Sequence, residues 1–116
     1  MAIVVTAKGT AQVKTATLVS SPGTQTYNVD DWVIAIIASD TQITSVTGNT
    51  LGAAGGELSL VKDVEAVSAG NVYSSIWSAK VLTASTLYGA CTAENANSDA
   101  KCIAVYRAEG LVTVSA

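Results

Sequence analysis

The stretch Asp30-Asp31-Trp32-Val33-Ile34-Ala35-Ile36-Ile37-Ala38-Ser39 decides the fold. Its seven consecutive apolar residues are too few for a membrane helix and rich in β-branched side chains, so they read as a short buried strand. Successive strand residues point to opposite faces, so a run that is apolar at every position predicts a central strand covered on both sides. The acidic pair in front of it reads as a turn. Asp30 and Asp31 would face opposite sides of a strand and could not flank one bond, as an acid/base pair must.

Outward from this strand, runs of β-branched residues alternating with small or polar ones occupy 3–8, 12–19, 25–29, 43–46, 58–66, 72–81, 86–92, 102–107 and 111–115. Gly, Pro, Asn and Asp are the residues that close such runs. Turn signals recur about every ten residues, which is the spacing of an antiparallel sandwich or barrel and leaves no room for the crossover helices of a parallel sheet. Leu60, Val61, Val64 and Val67 could also line a helical face, but 59–69 is assigned here as strand. In 72–81, Tyr73, Trp77, Ala79 and Val81 share one face while Ser74, Ser78 and Lys80 share the other, which turns Trp77 inward. At 116 residues the chain has room for one core, so a single all-β domain spanning 1–116 is expected.

Charged residues make up 13% of the chain against 49% hydrophobic, and the usual charged share is about 25%. So neutral a surface suits a subunit that buries its exterior against neighbours. The net charge is −3, and the six cations, Lys8, Lys14, Lys62, Lys80, Lys101 and Arg107, are scattered; no basic stripe is available for nucleic acid. No apolar run approaches the roughly 18 residues that a membrane helix needs. The opening residues lack the positive segment and long apolar core of a signal peptide, which predicts synthesis in the cytoplasm without general export.

The chain has no histidine, and with it goes the usual general base, nucleophile activator and metal ligand. No catalytic residue, cofactor or metal site is expected, and the chain is not read as an enzyme. The run Glu94-Asn95-Ala96-Asn97-Ser98-Asp99 offers oxygen ligands but lacks the Gly and terminal Glu of a calcium loop, and is assigned as a polar hairpin loop. The Gly-rich stretch from Gly48 to Gly56 has no following Lys and fails the phosphate-loop pattern, so it reads as a flexible or tight connection. Trp32 and Trp77 lie inside apolar runs and are assigned to the core rather than to a sugar-stacking platform. Tyr27, Tyr73, Tyr88 and Tyr106 are candidates for interface contacts.

If 86–92 and 102–107 form a hairpin across the 94–100 loop, Cys91 falls opposite Cys102. The pair could then close a disulfide in an oxidising setting, or remain as two buried free thiols.

From residue 25 onward, about three quarters of the chain resembles a β-sandwich module of bacteriophage virion proteins and bacterial surface proteins. An acidic turn leads into the apolar strand 30–36. Ile43-Thr44-Ser45-Val46 with Gly48-Asn49-Thr50 follows, then Ser75-Ile76-Trp77-Ser78-Ala79, and Val105-Tyr106-Arg107-Ala108-Glu109-Gly110-Leu111 closes the pattern. The usual Gly before the core strand is Asp30 here, and the usual acid before Gly-Asn-Thr is Thr47. The resemblance implies an antiparallel β-sandwich, jelly-roll or immunoglobulin-like, with no catalytic residues to carry over.

It further implies a head decoration protein on the outer surface of a virion, binding the major capsid protein and stabilising the shell. The class implies a homo-oligomer, a trimer at local threefold sites. Residues 1–13 are the expected arm or edge strand, with Met1, Ala2, Ile3, Val4 and Val5 as capsid or subunit contacts, because extending a neighbour's sheet needs only main-chain hydrogen bonds. The other reading is a carbohydrate-binding or adhesive module that takes a glycan as partner.

Overall fold

In the computed structural model, described for residues 3–22, 26–68, 70, 72–84 and 91–110, the chain is an all-β antiparallel structure. Its strands are β1 (Val4–Ser20), β2 (Trp32–Ser39), β3 (Ser45–Gly48), β4 (Leu58–Ser59), β5 (Val61–Val67), β6 (Tyr73–Lys80) and β7 (Cys91–Glu109). All seven belong to one hydrogen-bonded sheet, curled into a half-barrel with β1 as a further strand. β7 is its spine. One side of β7 pairs with β1 along nearly its whole length; the other pairs with β2 over 101–108 and with β3 over 91–94. β6 and β5 extend the sheet beyond β2, and β4 extends it beyond β3.

A straight strand of β7's 19 residues would measure about 60 Å. The molecule's longest dimension is 41 Å, so the long strands bend. The bending devices are in β1, whose register against β7 shifts between Ala7 and Gly9, between Val13 and Ala16, and between Ala16 and Leu18. Gly9 takes φ 119°, a region that glycine enters without steric cost. The two runs 3–8 and 12–19 are therefore one bulged strand, since Gly9 kinks the chain instead of turning it back.

The core lies against one face of the sheet. Val33, Ala35 and Ile37 of β2, Ile103 and Val105 of β7 and Trp77 of β6 meet Val19, Tyr27, Ile43, Val46, Leu51, Leu58, Leu60 and Val81. The Gly-rich stretch is a tight turn with a single 3-10 turn at Ala53–Gly55. A Cβ at Gly52 would stand 2.3 Å from the Glu57 carbonyl oxygen, so only glycine fits there. The Thr83 hydroxyl donates to the Gly52 carbonyl at 2.6 Å and accepts from the Gly55 amide at 3.1 Å.

Several expectations hold in detail. The apolar run 32–39 is β2 at the expected bounds, 61–67 is strand and not helix, and Trp77 points inward at 7% exposure. Two are corrected. β2 is central in the sheet, but among the described residues only one of its sides is covered: Val33, Ala35, Ile37 and Ser39 are buried, whereas Ile36 on the other face is 44% exposed. The 94–100 segment is not a loop, because β7 runs through it without interruption. Parts of the expected strands 25–29 and 86–92, and all of 111–115, lie outside the described residues.

Candidate interaction surface

With Glu94 to Ala100 in strand conformation, Cys91 and Cys102 lie on one strand eleven positions apart, roughly 30 Å or more along it, far beyond disulfide reach. The hairpin that would have paired them does not form, and both thiols are free. Cys91 is buried opposite Gly48, and burial pushes its thiol up to about 12. Cys102 is exposed between Gln12 and Ala38.

The polar residues of that segment have structural partners. Asn95, Asn97, Asp99 and Lys101 recur with the period of two that a strand requires, a signal overridden in the sequence by the turn preference of Asn and Asp. The irregular 40–44 connection and the bulges of β1 leave carbonyls without ladder partners. The Asn95 amide donates to the carbonyls of Thr41 (3.1 Å) and Gln42 (3.2 Å). The buried Lys101 ammonium donates to the Ala16 carbonyl (2.8 Å), the Asn97 carbonyl (2.8 Å) and the Asp99 carboxylate, which also accepts from the Thr41 hydroxyl. All three ammonium protons are used, so this lysine is a clamp and not a free nucleophile.

The acidic pair before β2 likewise splits into two structural roles. Asp31 is buried, accepts from Arg107 Nε at 2.5 Å and from the Asn28 amide at 2.7 Å, and so closes the turn onto β7. Asp30 adopts φ 72°, the left-handed conformation glycine favours, and its carboxylate stands 3.8 Å from Lys80. Nothing about these groups brings two carboxylates to one bond. Among the described residues, no group of three metal-ligating side chains comes together, and no helix is long and apolar enough to cross a membrane.

Two surfaces remain that the fold itself does not use. The first is the outer edge of β1, which pairs with β7 on one side and, among the described strands, with none on the other. At its start Ile3, Val4 and Val5 are 60%, 48% and 60% exposed, so both faces of the strand present apolar side chains to solvent. Met1 and Ala2 lie outside the described residues.

The second is the uncovered face of β1, β7, β2, β6 and β5. The pairing registers align Thr10, Ala104, Ile36, Ile76 and Val64 in one cross-strand row. The adjacent row, two residues along each strand, is Gln12, Cys102, Ala38, Ser74 and Ala66. Neither row contains a charge. Ile36 and Val64 are each 44% exposed, and two shallow depressions of about 480 and 620 Å³ meet at Gln12, Ala38 and Cys102. The sequence pointed to this face only indirectly, by making β2 apolar on both sides. Compared with protein-family models, curated proteins and solved structures, the chain matches none.

Proposed function

We propose that the protein is a structural subunit of a phage virion, a decoration protein that binds the outer shell of the head through its N-terminal strand. The observation that carries this reading is the open edge of β1, a strand of 17 residues whose apolar start is exposed on both faces. Open strand edges are ordinarily blunted, because their unpaired amides and carbonyls recruit further strands. A subunit that lends its edge to a shell protein uses those groups for attachment, and the exposed Ile3, Val4 and Val5 add apolar burial to the main-chain bonds. The low charge of the chain supports the same reading, as does the curled antiparallel sheet, which is compatible with a jelly-roll or immunoglobulin-like virion module. The glycan reading has less to stand on: of Trp32 and Trp77, the pair that would form a sugar platform, Trp77 is buried and Trp32 is half-buried.

The test is density-gradient sedimentation of purified phage heads with the full chain, with a chain lacking residues 1–8, and with Val5→Glu. The intact chain should co-sediment at saturable occupancy and both variants should lose it, while circular dichroism shows that the sheet is retained. Occupancy unchanged in a folded variant would overturn attachment through β1.

A further inference from the structure

On the reading that the β1 edge attaches the chain to a shell, we infer that the shell strand docking there is acidic, and that Lys8 and Lys14 select it over a second copy of this chain. The chain carries six cations. Four of them meet carboxylates within the fold: Lys62 with Glu65, Lys80 with Asp30, Lys101 with Asp99, and Arg107 with Asp31 and Glu109. The other two, Lys8 and Lys14, both belong to β1, and among the described residues neither meets a carboxylate. β1 contains no Asp or Glu, so the rest of the chain holds all nine acids against those four cations. The open edge is a basic strand on an acidic body.

Lys8 is the extra residue of the bulge between Ala7, opposite Tyr106, and Gly9, opposite Val105. Lys14 lies in the register shift between Val13, opposite Lys101, and Ala16, opposite Asp99. The longest regular stretch of β1, 9–13, therefore runs from one lysine to the other, and the next longest, 4–7, ends at Lys8. Lysines and bulges on an edge ordinarily deter a further strand, but deterrence by charge depends on the charge that arrives. A second copy adding its own β1 antiparallel about Ala11, the centre of 9–13, would bring Lys8 of each copy beside Lys14 of the other. Like charges so placed destabilise a strand pair. A strand with Asp or Glu at those places turns both contacts into attractions, while the main-chain bonds and the exposed Ile3, Val4 and Val5 serve either partner alike. Discrimination falls to the lysines. The acids of β5, an edge strand at the far end of the sheet, are already engaged: Asp63 accepts from the Ser78 hydroxyl at 2.6 Å, and Glu65 accepts from the Gln42 amide at 2.8 Å and faces Lys62. The acidic strand is accordingly the shell's and not a second copy's β5.

Co-sedimentation of the full chain with purified phage heads tests this at about 0.1 M and about 1 M NaCl, between which the screening length shrinks from about 10 Å to about 3 Å. At the lower salt, Lys8→Gln and Lys14→Gln should each need about threefold more chain to half-saturate the heads, and Lys8→Glu and Lys14→Glu about tenfold more, while Lys8→Arg and Lys14→Arg bind as wild type. At the higher salt these differences should vanish. Urea midpoints of all six variants should stay at the wild-type value, because neither lysine has an ion pair to lose among the described residues. Occupancy that is lost on removal of residues 1–8 but indifferent to charge at 8 and 14 would overturn the acidic partner and leave shell attachment standing. No occupancy by the wild type, or occupancy indifferent to that removal, would overturn both. A chain that self-associates without heads, in an association weakened by Val5→Glu, would seat a second copy on the edge and overturn the selection.

Discussion

Among the described residues, Tyr27 is the largest side chain that the core encloses completely, at 0% exposure, and its hydroxyl finds no hydrogen-bond partner among them. A buried hydroxyl left unpaired costs on the order of 1–3 kcal/mol, while the ring contributes the apolar burial that the core needs. Removing the oxygen and keeping the ring separates the two effects. Tyr27→Phe should leave the stability unchanged or raise it by about 1 kcal/mol, as read from the urea unfolding midpoint. Tyr27→Leu, which shrinks the ring, should lower it. A clear loss in Tyr27→Phe would mean that the hydroxyl has a stabilising partner. Trp32 Nε1 is likewise buried and unpaired, whereas Trp77 Nε1 donates to the Ser75 hydroxyl at 2.8 Å.

At the scale of elements, the long pair β1 and β7 depends on Gly9, whose φ of 119° no other residue type adopts without strain. Gly9→Ala should cost about 1–3 kcal/mol, measured by chemical denaturation. A neutral result would mean that the bulge can move along β1. The same residue shows what was legible in the sequence. Runs with an unbroken pattern, such as 32–39 and 73–80, were readable because their side chains report their own environment. Gly9 and the stretch from Asn95 to Asp99 looked like turns, because glycine and Asn/Asp favour turns locally. Here tertiary partners outweigh that preference: β1 needs a bulge, and the irregular 40–44 segment offers carbonyls to Asn95. That the chain opens on an apolar strand was legible, and the structure leaves Ile3, Val4 and Val5 exposed. The uncovered sheet face was not, since two apolar faces on β2 read as two covered ones until the topology left one layer out.

At the scale of the whole molecule, Lys101 and Asp99 tie β1, β7 and the 40–44 segment together. Lys101 is 2% exposed and joins carbonyls of β1 and β7 to the carboxylate, while Thr41 fixes that carboxylate to the segment between β2 and β3. Breaking such a pair strands its buried partner groups. Lys101→Met should therefore lose about 3 kcal/mol at neutral pH. Burial alone would raise the Asp99 pKa, but the hydrogen bonds from Lys101 and Thr41 outweigh it and hold the carboxyl below its usual range. A carboxyl whose folded pKa is depressed adds stability that is full above its unfolded value near 3.9 and is lost as pH falls through the folded value. Asp99→Asn should accordingly be less stable than wild type at pH 7, and the gap should narrow below about pH 4 as the wild-type carboxyl takes up its proton. Urea midpoints at pH 7, 5 and 3 measure this. A gap that stays constant across that range would show that the pair contributes through packing and not through its charge.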